Sequence, residues 1–132
     1  MTFFIVFFTF IIFSTAVIND DEVISLPGWQ GNLNSKMYSG LIASNEENTH
    51  HQHYFFVESE RNPEKDPVVV WNQGGPGGPS LFGAFVEQGP FRVSDERMAW
   101  RSDVPKLEYN EYGWQKFANM LFITSPAPVG YR

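Results

Sequence analysis

Residues 68–90 read VVVWNQGGPGGPSLFGAFVEQGP, an apolar strand that runs into a turn packed with glycine and proline and then into a short helical pattern. Val68 to Trp71 is apolar and β-branched, which reads as a fully buried strand. Gly74, Gly75, Gly77 and Gly78 can each take φ > 0 and leave backbone amides uncovered. Ser80 is placed to cap a helix over residues 81–87, with Gly89-Pro90 closing it. Amides that face outward suit a developing negative charge. A phosphate cradle is disfavoured, because the Lys-Ser/Thr pair that a P-loop needs is missing from this turn. On these residues alone the turn is either an anion-stabilising loop or a tight surface loop.

The rest of the chain reads as mixed α and β. Residues 36–44 and 53–60 are rich in β-favouring side chains, and the polar loop between them predicts an antiparallel pair. Pro63 and Pro67 bracket a polar turn that feeds the strand at Val68. Residues 94–105 form a charged surface excursion, 107–109 a short strand, 117–123 a second buried strand and 125–130 a loop. Trp100 and Trp114 read as core or edge packing.

With 132 residues, 42% of them hydrophobic, the chain can bury a core. A formal net charge of -6 argues against nucleic acid as a partner, since a phosphate backbone needs a basic surface. Residues 1–16, MTFFIVFFTFIIFSTA, carry no charged side chain and end on a small-x-small pattern. They predict a secretory signal peptide cleaved after Ala16, shorter than the roughly 20 residues of a spanning helix, so that no membrane association is expected of the mature chain at 17–132. Cysteine is absent, so no disulfide is available. His50, His51 and His53 predict a solvated loop end and not a metal site, because no carboxylate or thiol stands at ligand spacing. Neither a metal nor an organic cofactor is expected.

The segment Trp71 to Gly83 closely resembles a signature of the serine carboxypeptidases, W-x-N-G-G-P-G-C-S-S-L-x-G, and Glu87 to Phe91 resembles the E-x-G-P-F that follows it. Leu26-Pro27-Gly28, Tyr38-Ser39-Gly40, residues 54–59 and residues 118–122 fall in the family's order as well, so the resemblance covers about everything after residue 20. It implies an α/β fold, the N-terminal part of an α/β-hydrolase sheet in which antiparallel opening strands lead into buried central ones. The part is incomplete, and the family's serine nucleophile, aspartate and histidine are expected beyond it. It also implies a peptide hydrolase acting on peptide or protein C-termini in a secreted, lysosomal or vacuolar setting.

The resemblance assigns residues one by one. Gly75 is the family's loop amide of the oxyanion hole, with Gly74 in support. Trp71, Gln73 and Glu87 fall on positions that bind the substrate's terminal carboxylate, where Glu87 is expected beside a second carboxyl so that one of the two stays protonated. Gln73 stands where the family has Asn, Asn72 where it has an apolar residue, and Gly78-Pro79 where it has Cys-Ser. No G-x-S-x-G elbow occurs within the 132 residues, so the chain by itself is expected to be inactive, and a truncated, non-catalytic secreted relative is the alternative expectation. Ser80 and Ser125 lie in no such elbow and read as a helix cap and a loop residue.

Overall fold

The computed structural model describes residues 19–94, 104–126 and 129. The predicted signal peptide, Trp100 and most of the charged excursion lie outside them. Six strands form two sheets: β1 (Met37–Ala43), β2 (His51–Val57), β3 (Val68–Trp71), β4 (Phe91–Val93), β5 (Leu107–Tyr109) and β6 (Asn119–Thr124). The larger sheet has the order β1-β2-β6-β3, and β4 and β5 make a two-stranded ribbon.

The expected hairpin forms, with β1 antiparallel to β2 from Met37 opposite Val57 to Ala43 opposite His51. Its second strand starts and ends earlier than the sequence suggests. Asn45 holds the connecting loop together, because its Oδ1 accepts the backbone amides of Thr49 and His50 at 3.0 and 2.8 Å. β6 then inserts between β2 and β3, antiparallel to the first and parallel to the second. A parallel pair needs a long crossover, and residues 72–118 provide it.

Alternation along the strands decides what is buried. Met37, Val57, Phe55, Met120 and Phe122 share one face and form the core, joined by Phe91 and Leu107 from the ribbon. Trp29 packs onto Phe91 with ring centroids 4.6 Å apart and closes that side. Trp71 lies opposite Phe122 in register, so its side chain also points to this face.

The expectation of a fully buried β3 is wrong for these residues. Among the described residues β3 is an edge strand whose Val68 and Val70 are 60% and 50% exposed, because it is paired there on one side only and those two side chains point away from the core. Central burial belongs to β6, whose Asn119, Met120, Phe122 and Thr124 are all buried.

The expected helix over residues 81–87 forms, but it starts as an α-turn at residues 81–82, where the Ala84 amide reaches the Ser80 carbonyl at 3.3 Å, and widens into a π-turn at Gly83–Glu87. The Gln88 amide reaches back to the Gly83 carbonyl at 3.1 Å, one residue further than an α-helix would allow. Ser80 does not cap it. The Ser80 hydroxyl is buried, accepts the Gln73 amide at 3.1 Å and donates to the Ile123 carbonyl at 2.5 Å.

The histidines also depart from expectation. His51 is exposed, but His53 is buried opposite Thr124 of β6, and its Nε2 lies 2.8 Å from the Ser39 hydroxyl. The predicted loop end is strand, and β6 covers it.

Candidate functional site

The glycine turn leaves the end of β3 and comes back to the sheet at Ser80. Two of its four glycines use the left-handed region, Gly75 at φ 143° and Gly77 at φ 86°. Any side chain there would be strained. The Gly78 amide is used inside the loop, donating to the Gly74 carbonyl at 3.1 Å. Gly74 and Gly75 are exposed, and among the described residues the Gly75 amide meets no acceptor. Gly78 is tightly enclosed, since a Cβ on it would lie 2.6 Å from the Gly74 oxygen and 3.0 Å from Gln73 Cγ.

Trp71 and Gln73 come together. Trp71 Nε1 donates to Gln73 Oε1 at 2.9 Å, and both residues are half-buried. An indole nitrogen can only donate, so the Gln73 amide is oriented: its oxygen faces the indole and its two N–H donors face elsewhere. The Asn-to-Gln difference therefore keeps the amide in play at this position. Asn72 between them is exposed.

The wide turn at Gly83–Glu87 packs against the same indole. A Cβ on Gly83 would lie 2.6 Å from Trp71 Nε1 and 2.8 Å from its Cδ1. Glu87 ends this turn with its side chain exposed, and no hydrogen bond joins it to Trp71 or Gln73 among the described residues. The structure thus unites two members of the predicted carboxylate site and sets Glu87 on the turn that abuts them.

Three residues hold this arrangement in roles the sequence did not indicate: Ser80, read as a helix cap, Trp114, read as packing, and Asn110. Ser80 ties the Gln73 backbone to β6, as described above. Asn110 is 2% exposed, and its Nδ2 donates to the carbonyls of Glu87 and Gly89 at 3.1 and 2.9 Å, which fixes the end of the wide turn. Trp114 packs edge-on against Trp71, with centroids 6.0 Å apart and planes at 83°. A hydroxyl directly before an apolar run was the available signal for Ser80; Asn110, between Tyr109 and Glu111, and the spacing of Trp71 and Trp114 carry none.

Comparison with known proteins gives a consistent result. The serine carboxypeptidase family model matches residues 27–132. The chain is 44% identical over 109 residues to serine carboxypeptidase 1 of Hordeum vulgare, covering 83% of this chain and 21% of that protein. It is 41% identical over 113 residues to the lysosomal protective protein of Mus musculus, covering 86% of this chain and 22% of that one. Among solved structures it resembles Kex1(delta)p, a prohormone-processing carboxypeptidase from Saccharomyces cerevisiae, with a TM-score of 0.54 and 31% identity over 74% of this chain and 20% of the other. The 132 residues thus span about a fifth of the length of these relatives. With several motifs in one order, a mixed sheet that leads into a glycine turn, and a family match over most of its length, the chain belongs to the serine carboxypeptidase family.

Proposed function

We propose that the protein is a serine-type carboxypeptidase that releases C-terminal residues from peptides and proteins. In this reading residues 17–132 supply one oxyanion donor and part of the terminal-carboxylate site. The nucleophile, its base and the orienting acid come from residues outside these 132. The Gly75 amide, exposed on a turn that only glycine adopts at that φ, is the loop donor to the tetrahedral oxyanion, and Gly74 allows the substrate to approach it. Trp71, Gln73 and Glu87 are the carboxylate-binding members, with Glu87 awaiting a second carboxyl from elsewhere in the protein. An acidic secretory compartment fits this pairing of carboxyls and the apolar leader at residues 1–16.

The observation that carries the proposal is the hydrogen bond from Trp71 Nε1 to Gln73 Oε1. It fixes the Gln73 amide with its donors outward, the polarity that a carboxylate requires. The test is steady-state kinetics of the full-length protein on paired peptides ending in a free carboxylate or a carboxamide. Gln73→Leu is expected to raise KM for the free acid about tenfold or more relative to the amide, the usual scale for losing a hydrogen bond to a charged group. Equal effects on the two substrates would remove Gln73 from the site. Absence of any serine-dependent turnover in the full-length protein would instead favour a non-catalytic family member.

A further inference from the structure

We infer that Trp114 is a positioning residue for the terminal-carboxylate site, acting through the Trp71 indole on the Gln73 amide. The inference rests on the reading of Trp71 and Gln73 given above.

Among the described residues Trp71 ends an edge strand, with a ladder on one side of its backbone. Its single polar atom reaches Gln73 in one ring orientation. Two contacts set that orientation: Gly83 closes the Nε1 and Cδ1 edge, and Trp114 stands perpendicular to the indole at 6.0 Å. The perpendicular arrangement places a ring's positive edge against a negative face, a preference that flat apolar contact does not have.

Trp114 is itself held from both flanks. Its amide donates to the Gln88 carbonyl at 2.8 Å, and its carbonyl accepts the Phe117 and Ala118 amides, both at 3.1 Å. The next residue, Gln115, is fully buried and bolted to Glu60 twice, through the Glu60 amide on the Gln115 carbonyl at 2.8 Å and through Gln115 Nε2 on Glu60 Oε1 at 3.3 Å. Glu60 also accepts the Tyr109 hydroxyl on both carboxylate oxygens, at 3.0 and 2.8 Å. This framework holds Trp114 beside Trp71, outside the core cluster of the described residues.

Without Trp114 the Trp71 indole can turn its N–H away from Gln73. The Gln73 amide then loses the donor that fixes its polarity and can present its oxygen, which repels a carboxylate. Binding of a free C-terminus suffers more than binding of a carboxamide, which accepts either polarity.

The experiment measures KM and kcat of the full-length protein on peptides that differ only in a terminal carboxylate or carboxamide, for Trp114→Ala, Trp114→Met, Trp114→Phe and Gln73→Leu. Trp114→Ala and Trp114→Met are expected to raise the free-acid KM about five- to tenfold relative to the amide KM, a size set by the loss of one aromatic pair. Trp114→Phe keeps an aromatic edge and is expected to recover most of that ratio. Trp114→Met fills the volume without the edge and carries the same expectation should Trp114→Ala fail to accumulate. A parallel loss on both substrates, or none, overturns the role of Trp114. If Gln73→Leu shifts the ratio and the Trp114 variants do not, this inference fails alone; if Gln73→Leu does not shift it either, the carboxylate site itself is misassigned.

Discussion

The Ser80 hydroxyl spans the gap between two elements far apart in sequence, donating to the Ile123 carbonyl of β6 at 2.5 Å while accepting the Gln73 amide at 3.1 Å. Both strands that border the glycine turn are thereby tied through one buried oxygen. Ser80→Ala removes the shared hydroxyl from both a backbone N–H and a C=O at a buried position. The expected cost is about 1–3 kcal/mol. Urea denaturation of the full-length variant, followed by a probe of the sheet, should show a lower midpoint at unchanged slope. An unchanged midpoint would mean that both groups find other partners.

Gly83 is defined by close approach. Its missing Cβ would stand 2.6 Å from Trp71 Nε1, the atom that holds Gln73. Gly83→Ala must push the indole off its acceptor or the turn off the indole. Overpacking of this kind costs about 1–3 kcal/mol. The proposed carboxylate site should feel it first, as a rise in KM for free C-termini that exceeds the rise for carboxamides. Wild-type discrimination in Gly83→Ala would show that the turn yields without disturbing Trp71.

Gly78 stands where the family signature has cysteine, and the loop is built around its smallness. A Cβ there meets the Gly74 oxygen at 2.6 Å, and that oxygen already accepts the Gly78 amide. Gly78→Cys therefore should not restore a family-like turn in this context. It is expected to displace residues 74–78, lower stability by about 1–3 kcal/mol and slow acyl transfer by moving the Gly75 amide. Single-turnover acylation measured beside thermal unfolding would separate the two effects.

The parts legible in the sequence were those set by local pattern. The antiparallel hairpin follows from two β-rich runs around a polar loop, and the apolar stretch ending in Phe122 and Ile123 follows from its composition. What the pattern could not convey was which strand lies in the middle. Val68–Trp71 and Asn119–Thr124 are similarly apolar, yet among the described residues the first is an edge and the second central, because order in a sheet is a property of the crossover and not of either strand. Of the two three-residue strands that pair in the ribbon, Leu107–Tyr109 was legible and Phe91–Val93, directly after Gly89-Pro90, was not. Ser80 looked like a cap because a hydroxyl before an apolar run is the local signature of one. A carbonyl 43 residues away competes for it and wins. Of the proposed site, Trp71, Gln73 and the glycine turn are the parts that motif spacing marks out. Asn110 and Trp114 act across the fold and left no comparable mark.

His53 makes the pH dependence of stability specific. It is buried on β2 with the Ser39 hydroxyl 2.8 Å from Nε2, and burial lowers its pKa from the ordinary 6.5 because the charged ring would lose its water. The unfolded chain therefore takes up this proton before the folded one does as pH falls. Between pH 6.5 and the lowered native value the unfolded state binds more protons, so stability declines with falling pH across that window and levels off below it. His53→Gln keeps a hydrogen-bonding side chain but cannot titrate. Unfolding free energy measured by denaturant at a series of pH values from 7.5 to about 4.5, a range bracketing the ordinary histidine value, should fall more steeply for the native protein than for His53→Gln. Parallel profiles would show that the imidazole is protonated in the folded state as readily as in the unfolded one.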